Sequence, residues 1–167
     1  MVRILGIDPG SIKTGYGLIE SNGQKSRYIH SGYLKLSGDN LASKLGQIFS
    51  ELSSVIAEHQ PNHMAIEQVF LSKNAASALK LGHARGAAMT AGVNTGLEIY
   101  EYSARSVKQS TVGYGAASKE QIQHMILRLL NIRQALQEDE ADALAVALCH
   151  AHTGLSPQYQ KNIKASQ

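Results

Sequence analysis

The sequence predicts an α/β fold in which helices cover both faces of a mixed five-stranded sheet. Two hydrophobic patterns support this fold class: short apolar runs of strand length, and longer stretches in which apolar residues recur at helical spacing. In the first part of the chain, Asn22-Gly23 separates two strand-like runs and predicts a hairpin with a two-residue turn. Further along, strands and helices alternate, which is typical of the right-handed crossovers that join parallel strands.

Five segments are predicted to be strands. The first, residues 3–8, is a buried apolar run that ends at Pro9-Gly10. The second and third flank the hairpin turn and are antiparallel, and the fourth and fifth are short apolar runs that follow helices. These four strands cover residues 14–20, 25–36, 63–69 and 97–102.

Four segments are predicted to be helices. The first covers Leu41–His59, where apolar residues share one face. The second and the last cover residues 74–93 and 138–152. The third begins at Ser118, because Gln121 three residues later completes a capping-box pattern. The predicted order is β-β-β-α-β-α-β-α-α, with the first strand in the centre of the sheet, as in the ribonuclease H-like fold.

Composition limits the class of protein further. The chain has 167 residues, 43% of them hydrophobic and 17% charged, which excludes wholesale disorder and predicts a single folded domain. We expect this domain to cover residues 1–154, followed by a polar, flexible tail over 155–167. A lone cysteine, Cys149, indicates a reducing compartment, and no apolar run is long enough for a membrane span or a signal peptide. The net charge of +3 is compatible with a nucleic-acid partner without requiring one.

Several acidic residues lie against apolar runs, where solubilising acids are rare. Asp8 ends the first strand and Glu67 lies late in the fourth. If these strands are parallel neighbours, both carboxylates reach the crevice at the carboxyl edge of the sheet. Asp139 and Asp142 are three positions apart, so they share one face of the last helix. A helix end packed near the crevice would bring four acids together.

Four clustered carboxylates predict a cation site. Like charges at close range raise each other's pKa, and two divalent cations would neutralise four negative charges. Ligands that are all oxygen favour Mg²⁺ or Mn²⁺ over Zn²⁺. Two such ions about 4 Å apart support in-line attack of water on a phosphodiester.

Each acid also has a simpler interpretation. Asp8 before Pro9-Gly10 is compatible with an Asx turn, Asp139 with a helix N-cap, and Asp142 with a first-turn acid that complements the helix dipole. Glu67 is harder to explain in this way, because its strand is strongly apolar. Glu138 and Asp142 are four positions apart and also share a face, so spacing alone does not decide which acids are ligands.

Aromatic and basic residues follow the same elements. Phe70 comes directly after the fourth strand, where it is either a core residue or a ring that stacks on bases. Basic side chains near a carboxylate site are suited to a phosphate backbone, although a solvated surface is the better explanation for any one lysine taken alone. They lie in the second helix and around the glycine-rich stretch before the third: Lys73, Lys80, Arg85, Arg105, Lys108 and Lys119.

Taken in order, these motifs resemble the RuvC family of bacterial Holliday-junction resolvases. The resemblance covers residue 3 to about residue 152, and the combination of motifs is more specific than any one of them. The motifs are GIDPG at 6–10, TGYG at 14–17, AIEQVF at 65–70, KN at 73–74, SALKLG at 77–82, ARG at 84–86, VKQ at 107–109, VG at 112–113 and DEADALA at 139–145.

The resemblance implies a ribonuclease H-like homodimer that binds a four-way DNA junction and cuts two strands of like polarity with Mg²⁺. It also implies work beside the RuvA and RuvB branch-migration proteins in the bacterial cytoplasm. By motif position the catalytic acids are Asp8, Glu67, Asp139 and Asp142, which decides against Glu138. Phe70 matches an aromatic residue that acts at the junction centre, and Lys108 and Lys119 match basic residues needed for cleavage.

Two other functions remain open at this point. One is a phosphotransferase of the actin-like superfamily that uses Asp8 and the glycine-rich hairpin, although such enzymes carry two related domains. The other is a junction-binding protein without catalysis, in which the acids only cap helices and turns. For the dimer interface, we expect the small-residue helix at 74–93, because Ala and Gly allow helices to approach closely.

Overall fold

The computed structural model describes residues 1–69, 74–113 and 115–155. Five strands and five helices are assigned in this part of the chain. The strands are β1 (Val2–Asp8), β2 (Lys13–Ser21), β3 (Ser26–Lys35), β4 (His63–Glu67) and β5 (Glu98–Tyr102). The helices are α1 (Leu41–His59), α2 (Ala75–Asn94), α3 (Ala104–Val112), α4 (Lys119–Leu129) and α5 (Glu138–Thr153).

The strands form one mixed sheet in the order β3-β2-β1-β4-β5. The hairpin strands β2 and β3 are antiparallel neighbours on one side of β1, while β4 and β5 run parallel to β1 on the other side. This arrangement confirms the predicted mixed five-stranded sheet with a central first strand. The hairpin loop has four residues, Asn22 to Lys25, because Ser21 pairs with Ser26; the prediction of a two-residue turn was therefore wrong.

Helices cover both faces of the sheet, as predicted. On one face, α1 and α2 pack with Leu5, Ile7 and Ile66 into one apolar core. On the other face, α3, α4 and α5 pack with Ile4 and Ala65 into a second core. Because β1 and β4 bury apolar side chains on both faces of the sheet, each strand appears in the sequence as a continuous hydrophobic run.

One helix was missed. The sequence predicted no element in the glycine-rich stretch between β5 and α4, but the structure contains α3 there, with Ser103 as its N-cap and Gly113 in the left-handed conformation at its end. Its sequence, ARSVKQSTV, is rich in Ser, Thr and Gln, and only Val107 and Thr111 are buried. Because a nine-residue helix with two buried side chains has a weak hydrophobic period, packing decides its formation more than sequence does.

Other helix boundaries agree with their capping residues. Ser118 and Gln121 form the predicted capping box of α4. In α5 the N-cap is Gln137, with Glu140 completing a capping box, so Asp139 lies in the first turn and the N-cap interpretation of Asp139 is excluded. The boundary between a domain over 1–154 and a tail stays a prediction, since residues 156–167 lie outside the described residues.

Candidate active site

Asp8 and Glu67 lie side by side at one edge of the sheet. Asp8 is the last residue of β1 and Glu67 is the last residue of β4. These strands pair in parallel with Ile7 opposite Ile66, so the next residue of each strand is an acid. Both carboxylates therefore leave the sheet at its carboxyl edge, which is where ligands of open α/β sheets bind.

Glycines in β1 and β2 bring α5 unusually close to this edge. A Cβ atom on Gly15 would lie 2.0 Å from the carbonyl oxygen of Asp139, and one on Gly6 would lie 2.1 Å from that of Ala143. Any larger side chain at these positions would push the helix away from the sheet. The first turns of α5 consequently lie beside the ends of β1 and β2, although their residues are far away in the sequence.

A cleft of about 330 Å³ opens where these elements meet. We call it the acid cleft, because three carboxylates line it: Asp8, Glu67 and Asp142. Lys108 from α3 and Lys119 from α4 line the same cleft. Its remaining walls are apolar and come from α3, α4 and α5: Ala104, Val107, Ile122 and Ala145.

The fourth predicted acid lies beside this cleft. Asp139 is outside the residues that line the acid cleft, and its Oδ2 atom is 3.8 Å from Nζ of Lys13. Its negative charge nevertheless contributes to raising the pKa of Asp8. Lys13 was not among the predicted site residues. Its position opposite the α5 N-terminus depends on the glycine-mediated packing, so no local pattern in the sequence indicates it.

Burial and mutual repulsion disfavour ionisation in the acid cleft. Burial, and then the charges of Asp142, Glu67 and Asp139, raise the pKa of Asp8 from 3.8 to about 8. Burial also raises the pKa of Glu67 and of Asp142, while Lys108 and Lys119 act in the opposite direction. A positive charge placed between these carboxyl groups therefore stabilises their ionised forms.

The side chains fit a hard divalent cation by their chemistry, since the acids offer only oxygen atoms as ligands. In the described residues, no three or more His, Cys, Asp or Glu side chains are grouped closely enough to hold one metal ion. The site therefore suits a cation because its donors are oxygen atoms and because burial and repulsion between the carboxylates raise their pKa values.

The basic residues divide into two groups. Lys108 and Lys119 face the acids, and the Lys119 ammonium group also pairs with the carboxylate of Glu138. Lys80 lines a separate cleft of about 340 Å³. Arg85 pairs with Glu101 on β5. In the described part of the chain, neither Lys80 nor Arg85 lines the acid cleft.

Two other predicted DNA contacts, Phe70 and Lys73, lie outside the described residues. Arg105 on α3 lies close to Gly115, since a Cβ atom on that glycine would be 3.0 Å from Cγ of Arg105. Thus the structure brings together three of the predicted acids and two of the predicted lysines.

An oxygen-lined acidic cleft at the carboxyl edge of a mixed sheet, flanked by lysines, is typical of enzymes that hydrolyse phosphodiesters with metal ions. Comparison with known proteins identifies the family within this class. The family model described as "Crossover junction endodeoxyribonuclease RuvC" matches residues 4–150. The chain therefore belongs to the RuvC family of crossover junction endodeoxyribonucleases, which confirms the predicted family and enzyme class.

Individual relatives agree with this assignment. A crossover junction endodeoxyribonuclease RuvC from Tolumonas auensis is 56% identical over 153 residues, covering 92% of this chain and 88% of the relative. The structure of Thermus thermophilus RuvC in complex with a Holliday junction substrate matches with a TM-score of 0.87 and 32% identity, covering 93% of this chain and 96% of that chain.

A more distant structure supports the fold alone. The yeast mitochondrial Holliday junction resolvase Ydc2 matches with a TM-score of 0.68 at 14% identity, covering 99% of this chain and 85% of that chain. Together these neighbours confirm the predicted ribonuclease H-like fold. None of the helices within residues 1–69, 74–113 and 115–155 combines the length and the hydropathy of a membrane span.

Proposed function

We propose that this chain is a structure-specific endonuclease that resolves four-way (Holliday) DNA junctions by paired, metal-dependent phosphodiester cleavage in homologous recombination and DNA repair. The observation that carries this proposal is the acid cleft, in which Asp8, Glu67 and Asp142 face Lys108 and Lys119. Family membership supports the same activity, because the relatives are crossover junction endodeoxyribonucleases.

The metal ligands in this proposal are Asp8, Glu67, Asp139 and Asp142, which would hold two Mg²⁺ ions per site, with Mn²⁺ as a substitute. Bound there, the ions would neutralise the carboxylates, polarise the scissile phosphate and lower the pKa of the attacking water. Support comes from the all-oxygen ligands and from the raised pKa of Asp8 in the presence of the three other acids.

The other residues of the cleft bind and orient the DNA backbone. The ammonium groups of Lys108 and Lys119 are placed to bind non-bridging phosphate oxygens beside the carboxylates. The apolar side chains of Val107, Ile122 and Ala145 reduce the water around the phosphate and so strengthen these charge interactions. The protein thus contributes mainly position and electrostatic stabilisation to the reaction.

Further DNA contacts are proposed from the sequence. Lys80 and Arg85 on α2, together with Lys73, are assigned to the DNA arms, because a junction extends well beyond one cleft. We assign Phe70 to the unpaired bases at the junction centre, where stacking is worth about 1–3 kcal/mol per base. The assignment of Phe70 depends on motif position in the family, whereas that of Lys73, Lys80 and Arg85 depends on their positive charge.

A homodimer follows from the number of cuts. One chain carries one acid cleft, whereas two symmetric cuts need two, and a C₂ dimer on a two-fold symmetric junction provides them. We place the interface on α2, where Leu79 and Val93 are exposed and where a Cβ atom on Gly82 or Gly86 would meet nothing within 4 Å. As partners we propose the branch-migration proteins RuvA and RuvB, in the bacterial cytoplasm where the DNA substrate lies.

The proposal is tested by incubating the protein with a synthetic four-way junction and Mg²⁺ and mapping nicks on all four strands. We expect paired nicks on two strands of like polarity, at symmetric positions, and no cleavage of the matching linear duplex. Junction binding without nicks would favour the non-catalytic alternative. ATP hydrolysis in the absence of DNA would favour the phosphotransferase alternative.

A further inference from the structure

Lys119 lies between two cavities, and its partner in the structure is a carboxylate outside the proposed catalytic set. It is the first residue of α4 and lines the acid cleft together with Asp8 and Asp142. It also lines a smaller cavity of about 110 Å³ with Glu138, the first residue of α5. The Lys119 ammonium group forms its ion pair with Oε1 of Glu138.

The Glu138 carboxylate is not needed to cap its own helix. Glu140 accepts a hydrogen bond from the backbone N–H of Gln137 at 2.8 Å and so completes the capping box of α5. Glu140 also accepts a hydrogen bond from the Ser31 hydroxyl at 3.1 Å, which ties the helix to β3. Asp139 is a further acid in the first turn that complements the helix dipole. The Glu138 carboxylate can therefore pair with Lys119 without a loss to its own helix.

The pair between Lys119 and Glu138 can open at little cost. The two side chains are 66% and 62% exposed, so water solvates both charges when they separate. Lys119 also feels the negative charges of Asp142 and Asp8. In the structure the ammonium group is therefore held on Glu138, and the charges of Asp142 and Asp8 attract it toward the acid cleft.

We propose that Glu138 is a positioning residue that competes with the DNA phosphate for Lys119. This competition weakens the binding of DNA whose backbone does not enter the acid cleft fully. When a scissile phosphate is bound in the cleft, Lys119 leaves Glu138 and binds a phosphate oxygen, so Glu138 lowers the affinity for DNA while the reacting groups stay in place. This inference rests on the proposed function, since it assigns Lys119 to the DNA.

The test compares Glu138→Gln with Glu120→Gln. Glu120 lines the same small cavity and removing its charge changes the net charge equally, so it controls for general repulsion of DNA. Affinity for a four-way junction is measured by fluorescence anisotropy without divalent metal, which separates binding from cleavage. We expect Glu138→Gln to tighten binding about twofold to fivefold, the worth of one exposed ion pair, and Glu120→Gln to change it less.

A double-mutant cycle with Lys119→Ala shows whether Glu138 acts through the lysine. We expect the gain from Glu138→Gln to disappear when Lys119 is already Ala. In cleavage assays, Glu138→Gln should lower KM with kcat changed less than twofold, because the reacting groups are untouched. Melting temperatures of all variants check that each protein is folded.

The inference is overturned if Glu138→Gln and Glu120→Gln change affinity equally, if the gain persists in the Lys119→Ala background, or if Glu138→Gln weakens binding. A failure of the proposed function looks different, because then the wild-type protein itself would leave the junction uncut.

Discussion

The two ends of α5 carry two clusters of titratable side chains that are built in opposite ways. Near its first turns, Asp142 faces Asp8 and Glu67 across the acid cleft, so like charges oppose one another. Near its last turn, His150 is fully buried and both of its ring nitrogens have partners. Its Nδ1 lies 2.7 Å from the Tyr102 hydroxyl, and its Nε2 lies 2.9 Å from Nδ1 of His63.

The electrostatic consequences differ accordingly. Burial, and then the neighbouring His63, lowers the pKa of His150 from 6.5 to about 3, so this ring stays neutral over the physiological range. Burial and its acidic neighbours raise the pKa of Asp8 to about 8. One cluster satisfies its polar atoms within the protein, which suits a structural role. In the other, Lys108 and Lys119 only partly offset the repulsion between the carboxylates, which suits a site completed by cations.

The largest expected effect concerns cleavage. Glu67→Gln removes one oxygen ligand and one negative charge from the acid cleft, so we expect cleavage to fall by about 1000-fold or more. Junction binding should stay the same or become tighter, because less negative charge repels the DNA. Single-turnover cleavage and binding without metal measure the two effects separately. A variant that cleaves within about tenfold of wild type contradicts the metal-ligand assignment.

At the other end of α5, the expected effect is on stability. His150→Ala empties a fully buried position and removes a hydrogen-bond partner of Tyr102 and of His63, at a cost of about 3 kcal/mol in the free energy of unfolding. Urea denaturation measures this change. The matched control is His152→Ala, an exposed histidine on the same helix, for which we expect a change within about 0.5 kcal/mol. Similar losses in both variants would show that the buried cluster has no special role.

The close packing of α5 on the sheet gives an intermediate effect. Gly15→Ala places a Cβ atom 2.0 Å from the Asp139 carbonyl oxygen, so the helix must shift at a cost of about 1–3 kcal/mol. We expect cleavage to fall as well, since Asp142 moves with the helix. Gly46→Ala in α1 is the control, because nothing lies within 4 Å of its added Cβ; it should stabilise by about 0.5–1 kcal/mol. Unchanged unfolding and cleavage for Gly15→Ala would exclude a positioning role for this glycine.

The smallest expected effect is the gain in stability when repulsion between the carboxylates of the acid cleft is relieved. Asp142→Asn should stabilise the metal-free protein by about 1 kcal/mol near neutral pH. The pKa of Asp142 is raised by folding, so the folded protein binds more protons than the unfolded chain, and this acid costs more stability as the pH rises. The gain from Asn should therefore vanish as the pH falls below 3.8, where the acid is protonated in both states. A gain that is independent of pH would point to packing instead.

The contribution of His150 to stability changes with pH in the opposite direction. Because folding lowers its pKa, the unfolded chain binds more protons, and the stability contributed by the neutral ring is present above pH 6.5 and lost as the pH falls toward 3. Denaturation of wild type and His150→Ala across pH 4 to 7 should show the difference between them narrowing at low pH. A constant difference would contradict the neutral, buried state of His150.

Much of the fold was predictable because its strongest signals are local. The buried run of β1, the periodic face of α1 and the Ser118 capping box each specify an element without help from distant residues. The helix α3 was missed because it is short and polar, and its position against α4 and α5 depends on tertiary packing.

The candidate site was predictable only in part for the same reason. Asp8 and Glu67 end buried strands, so their meeting follows from strand order alone. The direction in which each acid of α5 points depends on how the helix packs against Gly6 and Gly15. The spacing of the acids in the sequence does not determine this packing. The structure directs Glu138 toward Lys119 and Asp139 toward Lys13, a distinction that the i, i+3 and i, i+4 patterns left open.

The most direct measurement of the central claim, that the acid cleft is completed by divalent cations, is the response of the melting temperature to Mg²⁺ near pH 8. Wild type should rise by at least a few degrees between metal-free buffer and millimolar Mg²⁺, because binding to the folded state stabilises it. Asp142→Asn should rise clearly less, and His152→Ala as much as wild type. Equal rises in wild type and Asp142→Asn would contradict the claim and leave Asp142 as an acid that only complements the helix dipole.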